Sequence, residues 1–392
     1  MMLKLLFLRA SPLMLRPAVI ILEGYLLMDG DILVLTLPIG MLALTISSIP
    51  VHIEYYRTDK NSFNRQALGE QYVSGLLWIT LLSLVILAAA LLTTNLGMGG
   101  WQIAGTCLFF LVEKQADEIS RLFEFQKAFV KWFLVQIARS AWMILPILAA
   151  LAGLSYELSF VIAAALTVAA FAVLFLKVTG LQIVIDRSGL VIIGKNLIYL
   201  FGSFLPASYR QLPRILVARL FPEQAHIFLA TAQLTQGVGL LFNVRFQIPY
   251  RKLIARKTRL FQRQVQPAML RLLVIPVVVA PIWLLGGMLL SFIDWTGITL
   301  GLALFPLLMA DALMFAIIAA HLGYLPWFER RSRVLVTYLI NIGLLLALMI
   351  MYELPQIDRH LSVVTIASSF ILLGMAWLAI IQFRHFRTSQ KV

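Results

Sequence analysis

Five residues between Lys195 and Arg214 are the first whose types and spacing suggest chemistry. Placed on an α-helix at about 100° per residue, Lys195, Tyr199, Ser203, Arg210 and Arg214 fall within a sector of roughly 100°. The stretch that carries them, from Lys195 to Tyr250, is otherwise apolar enough to lie in a bilayer. A charged side chain in a membrane span costs about 2.5–3.5 kcal/mol even on the gentler insertion scales. These groups are therefore expected to face a protein interior or a wet cavity. A cationic stripe along a cavity suits an anionic ligand.

The elements that must position this stripe are helices of a polytopic membrane protein. Hydrophobic residues make up 61% of the 392 and charged residues 13%, about half the charged share of a soluble domain. Mean hydropathy is +0.92. Many apolar runs reach the roughly 20 residues a spanning helix needs, and no alternating ten-residue pattern suggests a barrel. Twelve spans are expected, near 10–28, 31–55, 72–93, 101–123, 130–153, 158–179, 188–214, 223–247, 270–293, 297–322, 334–353 and 361–383. The first is the weakest, because Arg16 and Glu23 interrupt it. The N-terminal apolar run is broken by Arg9, Pro12 and Arg16, so it reads as retained rather than as a cleaved signal.

The placement of charge tests this layout. Segments assigned to one side carry 25 basic residues, among them Arg57, Lys127, Lys177, Arg330 and Arg384, against two on the other side, Arg219 and Arg359. That asymmetry puts both termini in the cytoplasm. The expected fold is all-α, with about twelve transmembrane helices in two six-helix bundles around a central cavity. The halves are 1–180 and 181–392, and a basic cytoplasmic helix or loop runs over about 247–269. The net charge of +14 thus reads as topology and attraction to anionic lipid, with no nucleic-acid partner expected.

Other residues could contribute. Arg16 and Arg139 are candidate cavity cations from the first half, though Arg139 could instead snorkel to the interface. In the fourth span Glu113, Asp117 and Arg121 recur at i, i+4 and i+8, and Lys114 precedes Glu118 by four. They read either as a salt-bridged helix end or as a gate at the cytoplasmic mouth. Glu23 and Asp311 are the candidates for ion or proton coupling; Glu23 could simply pair with Arg16, and Asp311 could neutralise a cation such as Lys195. His52, Glu54 and His321 are further titratable groups. Gln233, Gln236 and Asn243 suit either interhelical hydrogen bonds or a polar cavity wall. Prolines 38, 50, 206, 213, 276, 281 and 306 fall inside spans and suggest bent or broken helices.

Catalysis and cofactors have no support. Phosphate-binding Gly-rich loops, HExxH and nucleophile elbows are absent, the five histidines lack metal spacing, and Cys107 stands alone. An enzyme is not expected, and no cofactor beyond H+ or Na+ as a coupling ion.

The stretch 213–236, PRILVARLFPEQAHIFLATAQLTQ, resembles the seventh-to-eighth-span signature of polysaccharide flippases in the multidrug/oligosaccharidyl-lipid/polysaccharide exporter superfamily. Arg214, the Phe221–Pro222 turn, Ile227–Phe228 and Ala232–Gln233–Leu234 occupy the corresponding places, with Pro213 where an aspartate is common. Glu118 with Arg121, followed by Arg139, is also similar to bacterial polysaccharide exporters. The resemblance implies a bacterial inner-membrane flippase for an undecaprenyl-pyrophosphate-linked glycan. Its partners would be a polysaccharide polymerase and a chain-length regulator. The headgroup would be held by Lys195, Arg210, Arg214, Arg139 and Arg16, and sugar hydroxyls by Tyr199, Gln233, Gln236 and Asn243.

Three rivals stand beside this expectation. A cation-coupled multidrug exporter of the same superfamily would want an acidic cavity. A lipid II flippase usually has fourteen spans. A membrane-embedded polymerase or ligase would carry a large periplasmic loop. If the seventh span starts in the cytoplasm, Lys195 lies about 12 Å in and Arg210 about 34 Å in, at about 1.5 Å per residue. Arg210 and Arg214 are then expected near the exit, with Lys195 as the deep cation.

Overall fold

The protein is described by a computed structural model covering residues 2–27, 32–57, 65–93, 98–125, 128–179, 186–236, 271, 274–289, 297–328, 331–352 and 362–389. Among the described residues it is all-α. The helices are α1 (Met2–Leu26), α2 (Ile32–Arg57), α3 (Arg65–Thr93), α4 (Gly100–Phe125), α5 (Phe129–Ala141), α6 (Ile144–Leu151) and α7 (Tyr156–Thr179). They continue as α8 (Arg187–Leu220), α9 (Pro222–Leu234), α10 (Val274–Leu289), α11 (Gly297–Phe328), α12 (Arg331–Tyr352) and α13 (Val363–Ser389). Among the described residues, five stretches are long and apolar enough to cross a membrane: Tyr72–Thr93, Phe129–Leu151, Tyr156–Val178, Thr299–Ile317 and Val334–Tyr352. Large apolar side chains on these helices, such as Leu81, Val85, Leu166 and Leu339, are exposed, as a lipid-facing surface requires.

The chain forms two units, Met1–Phe204 and Leu205–Val392. The boundary between them falls inside α8. In the first unit α4 is central and packs against α2, α3, α5 and α7. Its apolar half buries Phe109 and Phe110, and Trp142 lies between Phe109 and Phe160 at ring separations of 6.3 and 5.2 Å. In the second unit α11 holds the same kind of position, against α9, α10, α12 and α13.

The helix interruption within 130–153 comes from a proline outside the group expected to bend spans. Pro146 has no N–H to give the Trp142 carbonyl, which accepts from Leu145 at 3.1 Å instead, and α5 ends at Ala141. Pro206 and Pro213, by contrast, lie inside α8 without ending it.

Where α8 begins, it is clasped to α3. The Ser74 hydroxyl donates to the Asp186 carbonyl at 2.8 Å, and Trp78 Nε1 donates to the same oxygen at 3.1 Å. Asp186 caps the helix through Arg187 N–H at 2.6 Å. Gly189 makes the approach possible: a Cβ there would stand 2.7 Å from the backbone nitrogen of Gly75. Backbone cannot yield as a side-chain tip can. Gly189→Ala is therefore expected to destabilise the protein by about 1–3 kcal/mol through overpacking. Gly343→Ala, with nothing within 4 Å of the added carbon, should hold or raise stability. Thermal unfolding in detergent micelles checks both, and equal melting temperatures for the two variants would refute the close contact.

Candidate functional site

Two buried polar clusters hold most of the charged residues picked out in the sequence, one in each unit. The first is built on α4. Glu113 is fully buried, and both its oxygens are taken: Arg16 of α1 donates to Oε1, and Arg139 of α5 donates to Oε2, with its Nε at 2.7 Å. A carboxylate in apolar surroundings demands such partners, because each ion alone would cost several kcal/mol to desolvate. Arg16 and Arg139, candidate cavity cations in the sequence, both donate to this one carboxylate inside the protein. Arg139 does not need to snorkel; its counter-charge lies one helix away.

The rest of the acidic run on α4 divides into separate contacts. Lys114 Nζ donates to Glu118 at 2.8 Å and to the Ser47 carbonyl of α2 at 3.1 Å, both groups buried. Tyr72 of α3 donates to the other Glu118 oxygen at 2.7 Å. Asp117 and Arg121 pair with each other at 2.9 Å and are part-exposed. The expected chain Glu113–Asp117–Arg121 therefore splits, since Glu113 points toward α1 and α5.

Glu23 does not pair with Arg16. Its carboxylate, fully buried, accepts the Tyr156 hydroxyl of α7 at 2.6 Å and the Leu33 N–H of α2 at 3.1 Å. Tyr156 was not picked out in the sequence. Its place at the first position of α7, after a polar turn, is the signal that it could meet the end of α1.

The second cluster lies where α8, α9 and α11 meet. α8 runs six residues beyond Arg214, to Leu220, and the Phe221–Pro222 turn folds α9 back beside it. Arg214 is buried, and Lys195 is exposed. Arg214 donates to Gln211 at 3.3 Å and to the Ala232 carbonyl of α9 at 3.4 Å, both long for charge-assisted bonds. Arg210, one turn earlier, lays its guanidinium over the Phe315 ring at 4.6 Å, and its buried Nε has no hydrogen-bond partner.

Asp311 precedes Phe315 by one turn on α11, is buried, and lies within electrostatic reach of both arginines. Among the described residues of this unit it closes no ion pair with either arginine. From α9, Gln233 is buried; its oxygen accepts from Gln236, and its Nε2 has no partner. Two guanidinium groups, that of Arg214 buried and that of Arg210 part-buried, stand near one carboxylate that pairs with neither. Arg210 Nε and Gln233 Nε2 are buried N–H donors without a partner. Such an arrangement can take up an anion through charge-assisted hydrogen bonds.

The Tyr199 side chain, Asn243, the side chains of His52, Glu54 and His321, and the basic segment 247–269 lie outside the described residues. Gln211 and Phe315 were missed in the sequence, although each sits at helical spacing from a charged residue, Arg214 and Asp311 respectively. No group of three or more metal-ligating side chains occurs among the described residues.

The two clusters should respond differently to mutation. Glu113→Gln leaves two arginines facing a neutral amide and is expected to lose about 3–5 kcal/mol. Asp117→Asn breaks a part-exposed pair and should cost about 0–1 kcal/mol. Melting temperatures of the purified variants measure this; a similar small loss in both would remove Glu113 from its structural role.

The chain was compared with protein-family models, curated proteins and solved structures, and none matches it.

Proposed function

We propose that the protein is a flippase that carries a lipid-linked oligosaccharide, joined to its polyprenyl carrier by a pyrophosphate, from the cytoplasmic to the periplasmic leaflet. The observation that carries this reading is the second cluster: buried Arg214 and part-buried Arg210 one turn apart on α8, with unpartnered donors on Arg210 and Gln233 and no ion pair to Asp311. A pyrophosphate offers the charge and the acceptor oxygens that these groups lack. The apolar, lipid-facing helices suit a substrate whose polyprenyl chain stays in the bilayer, and Gln233 and Gln236 stand where sugar hydroxyls could be met.

In this reading the chain crosses a bacterial inner membrane about twelve times in two six-helix halves, with both termini cytoplasmic, and works by alternating access. Glu23 and Asp311 are the carboxylates available to a coupling proton or sodium ion. A polysaccharide polymerase and a chain-length regulator would take up the product. A multidrug exporter for cationic compounds is disfavoured by the excess of arginine over acid in the cluster, and the chemistry is transport rather than catalysis.

Each charge-assisted hydrogen bond contributes about 1.5–3 kcal/mol, so loss of one arginine should weaken headgroup binding at least about tenfold. Arg210→Ala and Arg214→Ala are each expected to abolish surface polysaccharide in the source cell while the protein still reaches the membrane. Immunoblotting of membranes alongside polysaccharide gels checks this. Normal polysaccharide in both variants would rule the cluster out as the headgroup site.

A further inference from the structure

The two polar clusters occupy corresponding places in their units. With α5 and α6 counted as one interrupted span, α4 is the fourth helix of the first unit and packs against the second, third, fifth and sixth. Counted from α8, α11 is the fourth described helix of its series, and it too packs against the second, third, fifth and sixth.

The charged residues follow the same correspondence. Glu113 stands 13 residues after Gly100, the first of α4, and Asp311 stands 14 after Gly297, the first of α11. Arg16 and Arg210 each stand 10 residues before the last residue of their helix, Leu26 and Leu220. Arg139 and Asn341 each stand 10 residues after the first of theirs, Phe129 and Arg331. All three pairs agree to within one residue.

What differs between the clusters is informative. In the first unit a glutamate reaches both arginines and closes on them. In the second the acid is an aspartate, one methylene shorter, and it makes no hydrogen bond or ion pair among the described residues. Asn341 takes the place of the second arginine. It accepts from Tyr209, the residue before Arg210, at 2.8 Å and donates to the Thr337 carbonyl at 2.9 Å, so it brings no charge to the site. Arg210 rests on Phe315 instead of on the acid.

We propose that Asp311 sets how tightly the second cluster holds its anion. It stands where Glu113 stands, but its shorter side chain leaves Arg210 and Arg214 open to a ligand while its charge opposes that ligand. This rests on the reading that the cluster binds an anion. Two like charges sharing a desolvated site repel far more strongly than in water. The opposition keeps the anion from being held so firmly that it cannot leave, and a carrier must release what it binds. A longer acid would reach the arginines, as Glu113 does in its own unit, and shut the site. A neutral amide would remove the opposition.

The test uses the purified full-length chain in lipid nanodiscs, with radiolabelled inorganic pyrophosphate as the probe, reading the dissociation constant and the dissociation rate. Asp311→Asn is expected to bind about tenfold more tightly than the natural protein, through slower dissociation. Asp311→Glu is expected to bind at least about tenfold more weakly, with a melting temperature no lower than that of the natural protein. Unchanged or weaker binding by Asp311→Asn, or unchanged binding by Asp311→Glu, would overturn the proposal. If the natural protein binds, Arg210→Ala abolishes binding and neither Asp311 variant moves it, the anion site stands and only the role of Asp311 falls. If neither the natural protein nor Asp311→Asn holds pyrophosphate, the anion reading fails, and this inference with it.

Discussion

A charge buried in an apolar protein must find its counter-charge inside that protein, and the first unit is arranged around this requirement. α4 carries Glu113, Lys114 and Glu118 into the interior, and each is answered from a different neighbour: Arg16 from α1, a backbone carbonyl from α2, Tyr72 from α3 and Arg139 from α5. Lipid offers helices no hydrophobic reason to associate, since its chains are as apolar as leucine. Directed polar contacts supply the specificity that apolar packing alone would lack. Thr36 and Thr106, 3.0 Å apart between α2 and α4, and Gln136 to Ser120 at 2.7 Å between α5 and α4, extend the same pattern.

The second unit uses similar residues to a different end. Its arginines are buried as deeply, yet their contacts are long, aromatic or missing. A protein gains no stability from leaving donors unpartnered in its interior, where each costs on the order of 1–3 kcal/mol. The first unit shows that this chain can close such a cluster completely. An open one in the same protein is therefore the more telling of the two, and it is where a ligand would have most to offer.

Much of this was legible in the sequence, and the limits were physical. Composition and apolar runs gave the membrane class, because the bilayer imposes length and polarity on each segment directly. The pairs Lys114–Glu118 and Asp117–Arg121 followed from helical spacing, which is a local property. The contacts of Glu113 with Arg16 and of Glu23 with Tyr156 did not, because they span 97 and 133 residues of chain and depend on how helices pack. The seventh span was cut at 214 by its polarity, whereas α8 continues to Leu220, where the Phe221–Pro222 turn ends it. Arg210 and Arg214 were correctly placed on one face, but the aromatic ring under Arg210 came from another helix.

The distance along the chain between Arg16 and Glu113 also sets a schedule for assembly. Synthesis at about 5–20 residues per second separates the two by about 5–20 s. During that interval α1 carries a cation with no internal counter-charge, and it can settle only at the membrane surface, in a wet channel or beside another protein. Arg139 arrives later still, and Tyr156, which completes the contacts of Glu23, comes after it. The apolar helices of the first unit can thus be in place before α1 is locked, so the N-terminal helix is among the last to reach its final position.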